Sequence, residues 1–465
     1  MTTTPWLNDT CSLVDAFRSG ERSPVEEMEA TLTAIEASAL NAFSFIDADA
    51  ALAAARSADV NQPFGGVALG VKELDYVKGW PATEGSLVFA DRKSSYTSTM
   101  VERAAAAGAI PVGLTTASEF GGLNVSMTKL NGITGNPWDP SRTAGGSSGG
   151  SASAVAGGLI PIATGGDGGG SIRIPAGFNG LVGMKGTAGR IPRGPHTGIA
   201  PLTVVVGCLS RSVRDTARWY DVCNGHDMRD PYSLPRVDGW EAGLGTHLAD
   251  LRGKRVAIVP DHGTAVIRPE LDAMVRAAGE ALAADAGLTI VDGVEVKVPG
   301  LGLEWAMANL GGLLAELGDL WPGCKDDLTN EISFGMQIAS EHYNLQMAAN
   351  VETQRTLANE AMAAIFDQVD FLICATNPDA AYPANVALNT RVGDVTVGPE
   401  NNGALTIPAN IVGNPSCQVP IGFIDGLPVG MQIVAPHHHD KQVLDLAWLT
   451  EREQPWPLVA NSAPI

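Results

Sequence analysis

Two glycine-rich clusters that contain serine are the residues of this sequence best suited to chemistry. The first reads Ala-Gly-Gly-Ser-Ser-Gly-Gly-Ser over 144–151, and the second reads Gly-Gly-Asp-Gly-Gly-Gly-Ser-Ile-Arg over 165–173. Glycine permits positive φ angles and close backbone approach, so such loops either bind phosphate groups or direct consecutive N–H groups at a developing oxyanion. A serine hydroxyl in such a loop can attack a carbonyl carbon once a neighbouring base removes its proton.

Other interpretations of the two clusters have less support in the sequence. A flexible linker would not be interrupted by 154–162, which reads as a helix followed by the start of a strand. Nucleotide binding is an open alternative, although neither cluster has the G-x-x-x-x-G-K-[ST] pattern. Residues 146–150 match the G-x-S-x-G nucleophile elbow, but that motif requires a preceding strand, which 137–142 does not resemble, and a partner histidine, which no recognisable motif supplies.

The sequence offers a lysine at the end of a predicted strand as the base that could deprotonate the serine. The run 67–71 is short, apolar and preceded by Gly65-Gly66, which predicts a buried strand ending at Lys72. Lysine acts as a general base only when desolvation lowers its pKa toward about 7 or 8. Without the two serine clusters, the more ordinary interpretation of Lys72 is an exposed surface lysine at the end of a strand.

The elements around these residues alternate between helix and strand. A helix over 98–107 precedes a strand over 110–115, and the alternation returns at 255–259, 270–286, 288–291 and 371–374. This order indicates an α/β sheet as the core. The N-cap Ser23, followed by Pro24 and Glu26, predicts a helix through Ile35. Residues 301–350 are mainly helical by pattern and rich in Met, Trp and Leu, so they either cover a pocket or close a core.

The motifs closely resemble the amidase signature family. The matching segments are 135–137, 145–150, 167–173 and 183–185, together with 70–72, 410–415 and 426–432. The resemblance implies a single amidase domain over 1–465, with 60–220 as the catalytic core and about 300–350 as a variable segment that could cover the pocket. It also implies an α/β fold with one large, open, twisted mixed sheet of about 11 strands covered by helices on both faces.

The family pattern assigns roles to particular residues. It places the catalytic lysine on Lys72, the bridging serine on Ser147 and the nucleophile on Ser171, and it implies a cis peptide between Gly146 and Ser147. The N–H groups of Gly168, Gly169 and Gly170, with that of Ser171, would form the oxyanion hole. The chain departs from the family pattern at three places: Gly168 replaces a threonine, Gly186 replaces a proline, and Glu73-Leu74 replaces an acid-asparagine pair.

Within the family, the sequence favours a free-standing hydrolase of small aryl, aliphatic or cyclic amides. The transamidosome member of the family has glutamine where this chain has Ile174. By the same resemblance, Ile174 and the segment Phe120-Gly121-Gly122 would line the acyl side of the pocket. A non-catalytic binding or scaffold protein is the alternative of a different class, and the intact Lys72, Ser147 and Ser171 argue against it.

Composition limits the partners. With 51 acidic and 30 basic residues, the net charge of −21 would repel a phosphate backbone, so nucleic acid is not expected as a partner. The six cysteines form no C-x-x-C pair, and a solvated turn explains the run 437–439 better than a metal site, so neither metal nor cofactor is expected. The first residues lack a signal peptide and no apolar run is long enough to span a membrane, which predicts a cytoplasmic protein. A small-molecule amide is the expected partner, and a homodimer is compatible with the sequence.

Overall fold

One mixed sheet organises the chain. The computed structural model describes residues 4–197, 203–300 and 302–465. The strands are β1 (Phe43–Ile46), β2 (Ala68–Lys72), β3 (Ile110–Thr115), β4 (Met127–Thr128), β5 (Gly132–Ile133), β6 (Gly135–Asn136), β7 (Asp139–Thr143), β8 (Ile162–Asp167), β9 (Val182–Lys185), β10 (Val205–Ser210), β11 (Arg255–Ile258), β12 (Thr289–Ile290), β13 (Phe371–Ala375), β14 (Arg391–Val392), β15 (Val395–Thr396), β16 (Ser416–Ile424) and β17 (Leu427–Val434).

Helices lie between and around these strands. They are α1 (Thr10–Ser19), α2 (Pro24–Ala37), α3 (Ala48–Arg56), α4 (Thr99–Ala106), α5 (Gly149–Ala156), α6 (Arg173–Asn179), α7 (Val213–Cys223), α8 (Leu248–Leu251), α9 (Pro269–Ala286), α10 (Gly302–Leu317), α11 (Asn330–His342), α12 (Leu345–Phe366), α13 (Ile407–Val412) and α14 (Asp440–Glu453).

Eleven strands form the main sheet, in the order β1-β3-β2-β8-β10-β9-β16-β17-β13-β11-β12, and this confirms the predicted fold. Strand β2 lies between β3 and β8 and runs parallel to both. Parallel neighbours end at the same edge of a sheet, so Lys72 at the end of β2 and the loop after Asp167 at the end of β8 meet there. The sheet therefore brings together residues that lie about a hundred positions apart in the chain.

The sheet separates two hydrophobic cores. In β2, Leu69 and Val71 belong to one buried cluster and Ala68 to another, as expected when alternate side chains of a strand point to opposite faces. Every residue of α5 is buried, and this helix packs against β2, β3, β8 and β10. Because α5 starts directly after Ser148, its packing also holds the preceding serine loop against the sheet.

The local predictions agree with the structure with one exception. Helix α2 has the expected capping box between Ser23 and Glu26 and continues to Ala37. The sequence of 137–142 predicts no strand, but β7 occupies Asp139–Thr143 and pairs with β6. The short apolar and alternating pattern that identifies a strand is missing there, because β7 is a polar hairpin strand outside the main sheet.

Candidate active site

Lys72 is buried at the edge of the sheet and directed at a serine. Only 2% of its surface is exposed. Its Nζ donates to Ser147 Oγ at 2.8 Å and to the Gly166 carbonyl at 3.3 Å. Its backbone N–H donates to Thr164 Oγ1 at 2.8 Å, and the Thr164 hydroxyl donates to Asp75 at 2.7 Å. Lys72 is therefore a buried residue, and the alternative of an exposed lysine at the end of the strand is wrong.

Burial changes the proton affinity of this lysine. Desolvation lowers the pKa of Lys72 from its ordinary value to about 8, although the negative charges of Asp75, Asp167 and Glu73 act in the opposite direction. With a pKa of about 8, roughly one molecule in ten carries a neutral Lys72 at pH 7. That fraction is large enough for the amine to act as a general base.

Glu73, at one of the positions where the chain departs from the family pattern, does not bond to the lysine amine. Its carboxylate accepts from the N–H of Ala117 at 2.8 Å and from Asn131 Nδ2 at 2.9 Å. It is almost completely buried, and burial raises its pKa. Glu73 therefore fastens the segment after β3 to the end of β2 and leaves the Lys72 amine to Ser147.

The first glycine cluster places Ser147 between the lysine and the second cluster. The Gly146–Ser147 peptide is cis. A Cβ on Gly146 would lie 2.5 Å from Val125 N and 2.6 Å from Leu123 O, so only glycine fits this approach of two backbones. The next N–H, that of Ser148, donates to the Ser171 carbonyl at 3.3 Å. Ser147 and Ser171 line the same cavity, and among the described residues no hydrogen bond joins their two hydroxyls.

The carboxylate of Asp167 shapes the loop that carries Ser171. It accepts from the N–H groups of Gly170 at 2.7 Å, Ile172 at 3.2 Å and Arg173 at 3.3 Å. Gly170 has a φ of 127°, and a Cβ there would lie 2.4 Å from Thr406 Oγ1. The loop therefore requires glycine at this position, both for its backbone conformation and for space.

The expectation that the Gly170 N–H is an oxyanion donor is corrected by this geometry. The Gly170 N–H points to Asp167 and not into the cavity, because the carboxylate at the start of the loop needs that donor. The N–H groups of Gly168, Gly169 and Ser171 have no hydrogen-bond partner within the described ranges, and all three residues line the cavity. These three groups are the donors that remain free to bind an oxyanion.

A buried ion pair supports the loop from behind. Arg173 Nε lies 3.0 Å from Asp167 Oδ2, and neither side chain is exposed. Burial by itself would raise the pKa of Asp167, but the Arg173 guanidinium lowers it well below its ordinary value. Arg173 also donates to Gln432 Oε1 at 2.9 Å and to Asn410 Oδ1 at 2.6 Å. Sequence reasoning included these residues in the matching segments but gave them no role, because their contacts join distant parts of the chain.

Lys72, Ser147 and Ser171 all line one cavity of about 770 Å³. Phe120, Gly121 and Gly122 line it, at the place where sequence analysis expected substrate contacts. Ile174 does not line this cavity: it is 1% exposed and belongs to the main hydrophobic core. The reason is its position in the first turn of α6, where its side chain packs beneath Gly170.

Helices α10 and α11 form another wall of the cavity. Trp305, Leu310 and Ile332 line it, while a separate hydrophobic cluster joins the two helices to Phe120. Glu119 holds this wall to the core, because its Oε2 accepts from both the N–H and the hydroxyl of Thr329 at 2.7 Å. The segment 301–350, whose first residue lies outside the described ranges, thus both covers the pocket and packs its own core.

The histidine run has separate partners. His437 Nε2 lies 2.9 Å from the Val412 carbonyl, and His439 Nδ1 lies 2.8 Å from Gln442 Oε1. Within residues 4–197, 203–300 and 302–465, no group of three or more His, Cys, Asp or Glu side chains is arranged to hold a metal ion. In the same ranges, no helix is long and apolar enough to cross a bilayer.

Known proteins resemble this chain along nearly its whole length. A family model described as Amidase matches residues 26–444. A glutamyl-tRNA(Gln) amidotransferase subunit from Chloroflexus aggregans is 32% identical over 477 residues, with 95% of each chain covered. The protein of the same name from Synechococcus sp. is 34% identical over 476 residues, covering 93% of this chain and 94% of its own.

Solved structures also resemble this chain over nearly its whole length. A bacterial aryl acylamidase of the amidase signature family has a TM-score of 0.88 at 26% identity, with 97% of both chains covered. The 6-aminohexanoate cyclic dimer hydrolase has a TM-score of 0.89 at 28% identity, covering 98% of this chain and 99% of that one. The resemblance therefore extends over the fold of nearly the whole chain.

Proposed function

We propose, from the premise that this chain belongs to the Amidase family, that it hydrolyses small-molecule carboxamides through an acyl-enzyme on Ser171. In this reaction Ser171 Oγ attacks the carbonyl carbon, and the C–N bond of the tetrahedral intermediate breaks to release ammonia or an amine. Water then attacks the acyl ester, releasing the carboxylic acid and restoring the serine. Every step uses side chains and N–H groups of the chain itself.

The proton path runs through the side chains of Ser147 and Lys72. Ser147 accepts the proton of Ser171 as the nucleophile attacks, and passes its own proton to the neutral amine of Lys72. The same path in reverse protonates the leaving amine. The observation that carries the proposal is the 2.8 Å contact between a buried Lys72 amine and Ser147 Oγ, in the cavity that also contains Ser171.

Stabilisation of the oxyanion would come from the loop after β8. The N–H groups of Gly168, Gly169 and Ser171 are the donors we assign to it. Losing one such donor typically costs about 3 kcal/mol of transition-state stabilisation. The buried Asp167–Arg173 pair keeps these donors in place before the substrate binds, which is what makes an oxyanion hole effective.

The size and walls of the cavity support a small substrate. Its volume of about 770 Å³ falls within the range of roughly 300 to 1,000 Å³ found for small-molecule sites. Apolar side chains of α10 and α11 line the same cavity as Ser147 and Ser171, so an aryl, aliphatic or cyclic amide would bury apolar surface there. We also infer that the chain forms a single amidase domain, because one sheet includes strands from residue 43 to residue 434.

A panel of amides tests the proposal. Release of ammonia or amine is measured for aryl, aliphatic and cyclic amides with the wild type and with Ser171→Ala. We expect turnover of at least one class by the wild type and a loss of at least about a thousandfold in the variant. A fluorophosphonate should add covalently to Ser171, as located by mass spectrometry of the peptide. Full amide turnover by Ser171→Ala would refute the proposal.

A second candidate function comes from the curated relatives. Proteins 32% and 34% identical to this chain are named as subunits of glutamyl-tRNA(Gln) amidotransferase, which favours glutamine as an alternative amide. The panel therefore includes free glutamine. Glutamine turnover well above that of every other amide would favour this alternative, whereas turnover of simple amides with glutamine inactive favours the free-standing hydrolase.

A further inference from the structure

One end of the catalytic cavity is aromatic and acidic, and the hydrolytic steps make no use of it. Tyr76 and Tyr96 have ring centroids 5.0 Å apart, and Tyr96 packs edge-on against His196 at 4.4 Å. The Tyr76 hydroxyl donates to the carboxylate of Glu84. All four side chains line the cavity, and Tyr76 follows Lys72 by only four residues. This group of Tyr76, Tyr96, His196 and Glu84 is called the aromatic end below.

The carboxylates at this end exceed the cations that could neutralise them. Arg92 donates to both Glu84 and Glu316, so one guanidinium serves two carboxylates. Consistent with this shortage, burial and the nearby charge of Glu316 both raise the pKa of Glu84, in spite of its contact with Arg92. The aromatic end therefore favours an additional positive charge.

In the remainder of the cavity, carboxylates also outnumber cations. Three more carboxylates, Asp75, Glu331 and Glu400, line it, and neither glutamate has a salt-bridge partner among the described residues. Among the described residues, the cations that line it are Lys72 and Arg193. Lys72 is buried against Ser147, and Arg193 interacts electrostatically with the buried Asp75 and Asp230. A carboxylate on a substrate would meet mostly like charges here, and like charges brought together in a desolvated site disfavour binding.

We propose that the substrate is an amide carrying a cationic group, such as an ammonium, on the part that extends away from the scissile bond. The aromatic end receives this group: the faces of Tyr76 and Tyr96 attract a cation, and the carboxylates of Glu84 and Glu316 supply the opposite charge. This inference rests on the proposed function and adds the substrate class to it. The same charges disfavour an anionic substituent at this position.

Matched substrates test the inference. The first series consists of para-nitroanilides of gamma-(trimethylammonio)butyrate, of its uncharged tert-butyl isostere and of glutarate. All three acyl chains have the same three methylenes; the cation and its isostere differ only in charge, and glutarate places a carboxylate at the same position. The second series places the same three terminal groups on a methylene spacer of the aniline, with acetyl as the acyl group. In one of the two series we expect kcat/KM to be at least about tenfold higher for the cation than for the isostere, and lower for the anion, as a cation–π and charge contact implies.

Variants assign the preference to the aromatic end. Glu84→Gln, Glu316→Gln and Tyr96→Leu should each lower the ratio of cation to isostere. Glu341→Gln is the matched control, since this exposed glutamate lies on the neighbouring helix α11 and does not line the cavity. Its ratio should equal that of the wild type.

A binding measurement separates this inference from the proposed function. Calorimetric titration of Ser171→Ala with the same cationic and isosteric amides reports the preference without any turnover. If the wild type hydrolyses no amide but the variant still prefers the cation, the proposed reaction is wrong and the binding inference stands. Equal turnover and equal binding of cation and isostere in both series, or a preference unchanged by Glu84→Gln and Glu316→Gln, overturns the inference.

Discussion

The Nζ of Lys72 lies 2.8 Å from the Oγ of Ser147, and no more than 3% of either residue is exposed to solvent. An amine in such a place is hydrogen-bonded to a hydroxyl but largely removed from water. Desolvation disfavours its charged form, while the hydroxyl contact gives the neutral form a proton donor. The pair is thus arranged for proton transfer, and the following predictions test whether that transfer governs the reaction.

The first prediction concerns pH. In the proposed reaction the neutral form of Lys72 is the base, and the pKa of this amine is about 8, so the fraction of enzyme in the active form grows as pH rises. We expect kcat/KM for a neutral amide to increase about tenfold per pH unit below pH 7 and to level off above about pH 8. Initial rates between pH 5.5 and about 10 measure this, with the uncatalysed rate subtracted. A profile that stays flat from about pH 6 to 9 would contradict a lysine base.

The second prediction assigns that profile to Lys72. Lys72→Met preserves the approximate length and apolar stem but removes the amine, and it should lower kcat by at least about a thousandfold. The matched control is Lys185→Met. Lys185 is equally buried, and burial together with Arg173 lowers its pKa to about 7, but it lies in β9 and does not line the cavity.

Lys185→Met should keep kcat within about tenfold of the wild type and leave the pH profile unchanged. Circular dichroism checks that both variants are folded. If Lys185→Met shifted the pH profile and Lys72→Met did not, the base would have been assigned to the wrong lysine.

The third prediction concerns the buried ion pair behind the nucleophile loop. Asp167→Asn leaves the Arg173 guanidinium buried without its charge partner, which typically costs about 3 to 5 kcal/mol. The same substitution also weakens the acceptor of the Gly170 N–H, so activity should be lost together with stability. Urea unfolding measures the first effect and amide turnover the second.

An exposed ion pair provides the comparison. Asp272 pairs with Arg276 across one turn of α9, with both side chains partly open to solvent. Asp272→Asn should change the free energy of unfolding by less than about 1 kcal/mol and leave turnover unaffected. A similar loss of stability in the two variants would mean that burial of the Asp167–Arg173 pair has no special weight.

The fourth prediction concerns the backbone of the oxyanion loop. In Gly170→Ala, the added methyl would have to occupy space 2.4 Å from Thr406 Oγ1 at a φ of 127°. The loop must shift, so we expect kcat to fall by at least about a hundredfold, comparable to the loss of an oxyanion donor. Gly312→Ala is the control, because it lies in helix α10 with open space around it. That variant should keep its activity and gain up to about 1 kcal/mol of stability.

Much of the site follows from residue types that act locally. A short apolar run after two glycines is enough to predict a strand ending at Lys72, and the density of glycine around Ser147 and Ser171 indicates loops with exposed N–H groups. The family motifs then supply the pairing of these three residues. The alternation of helix and strand is likewise a local property of hydrophobic periodicity, which is why the α/β sheet was predictable.

The remaining features depend on contacts between distant segments. The Gly170 N–H turns away from the cavity because the loop closes on Asp167, and Ile174 enters the core because α6 packs beneath that loop. Arg173 reaches Asn410, which is 237 residues further along the chain. The cavity wall from α10 and α11 and the shared guanidinium of Arg92 arise in the same way. Sequence by itself determined which residues we propose for the chemistry, because that choice depends on side-chain type and local backbone. Only the tertiary structure decided which N–H groups, walls and charges face the substrate, because those directions depend on packing between elements that no local pattern records.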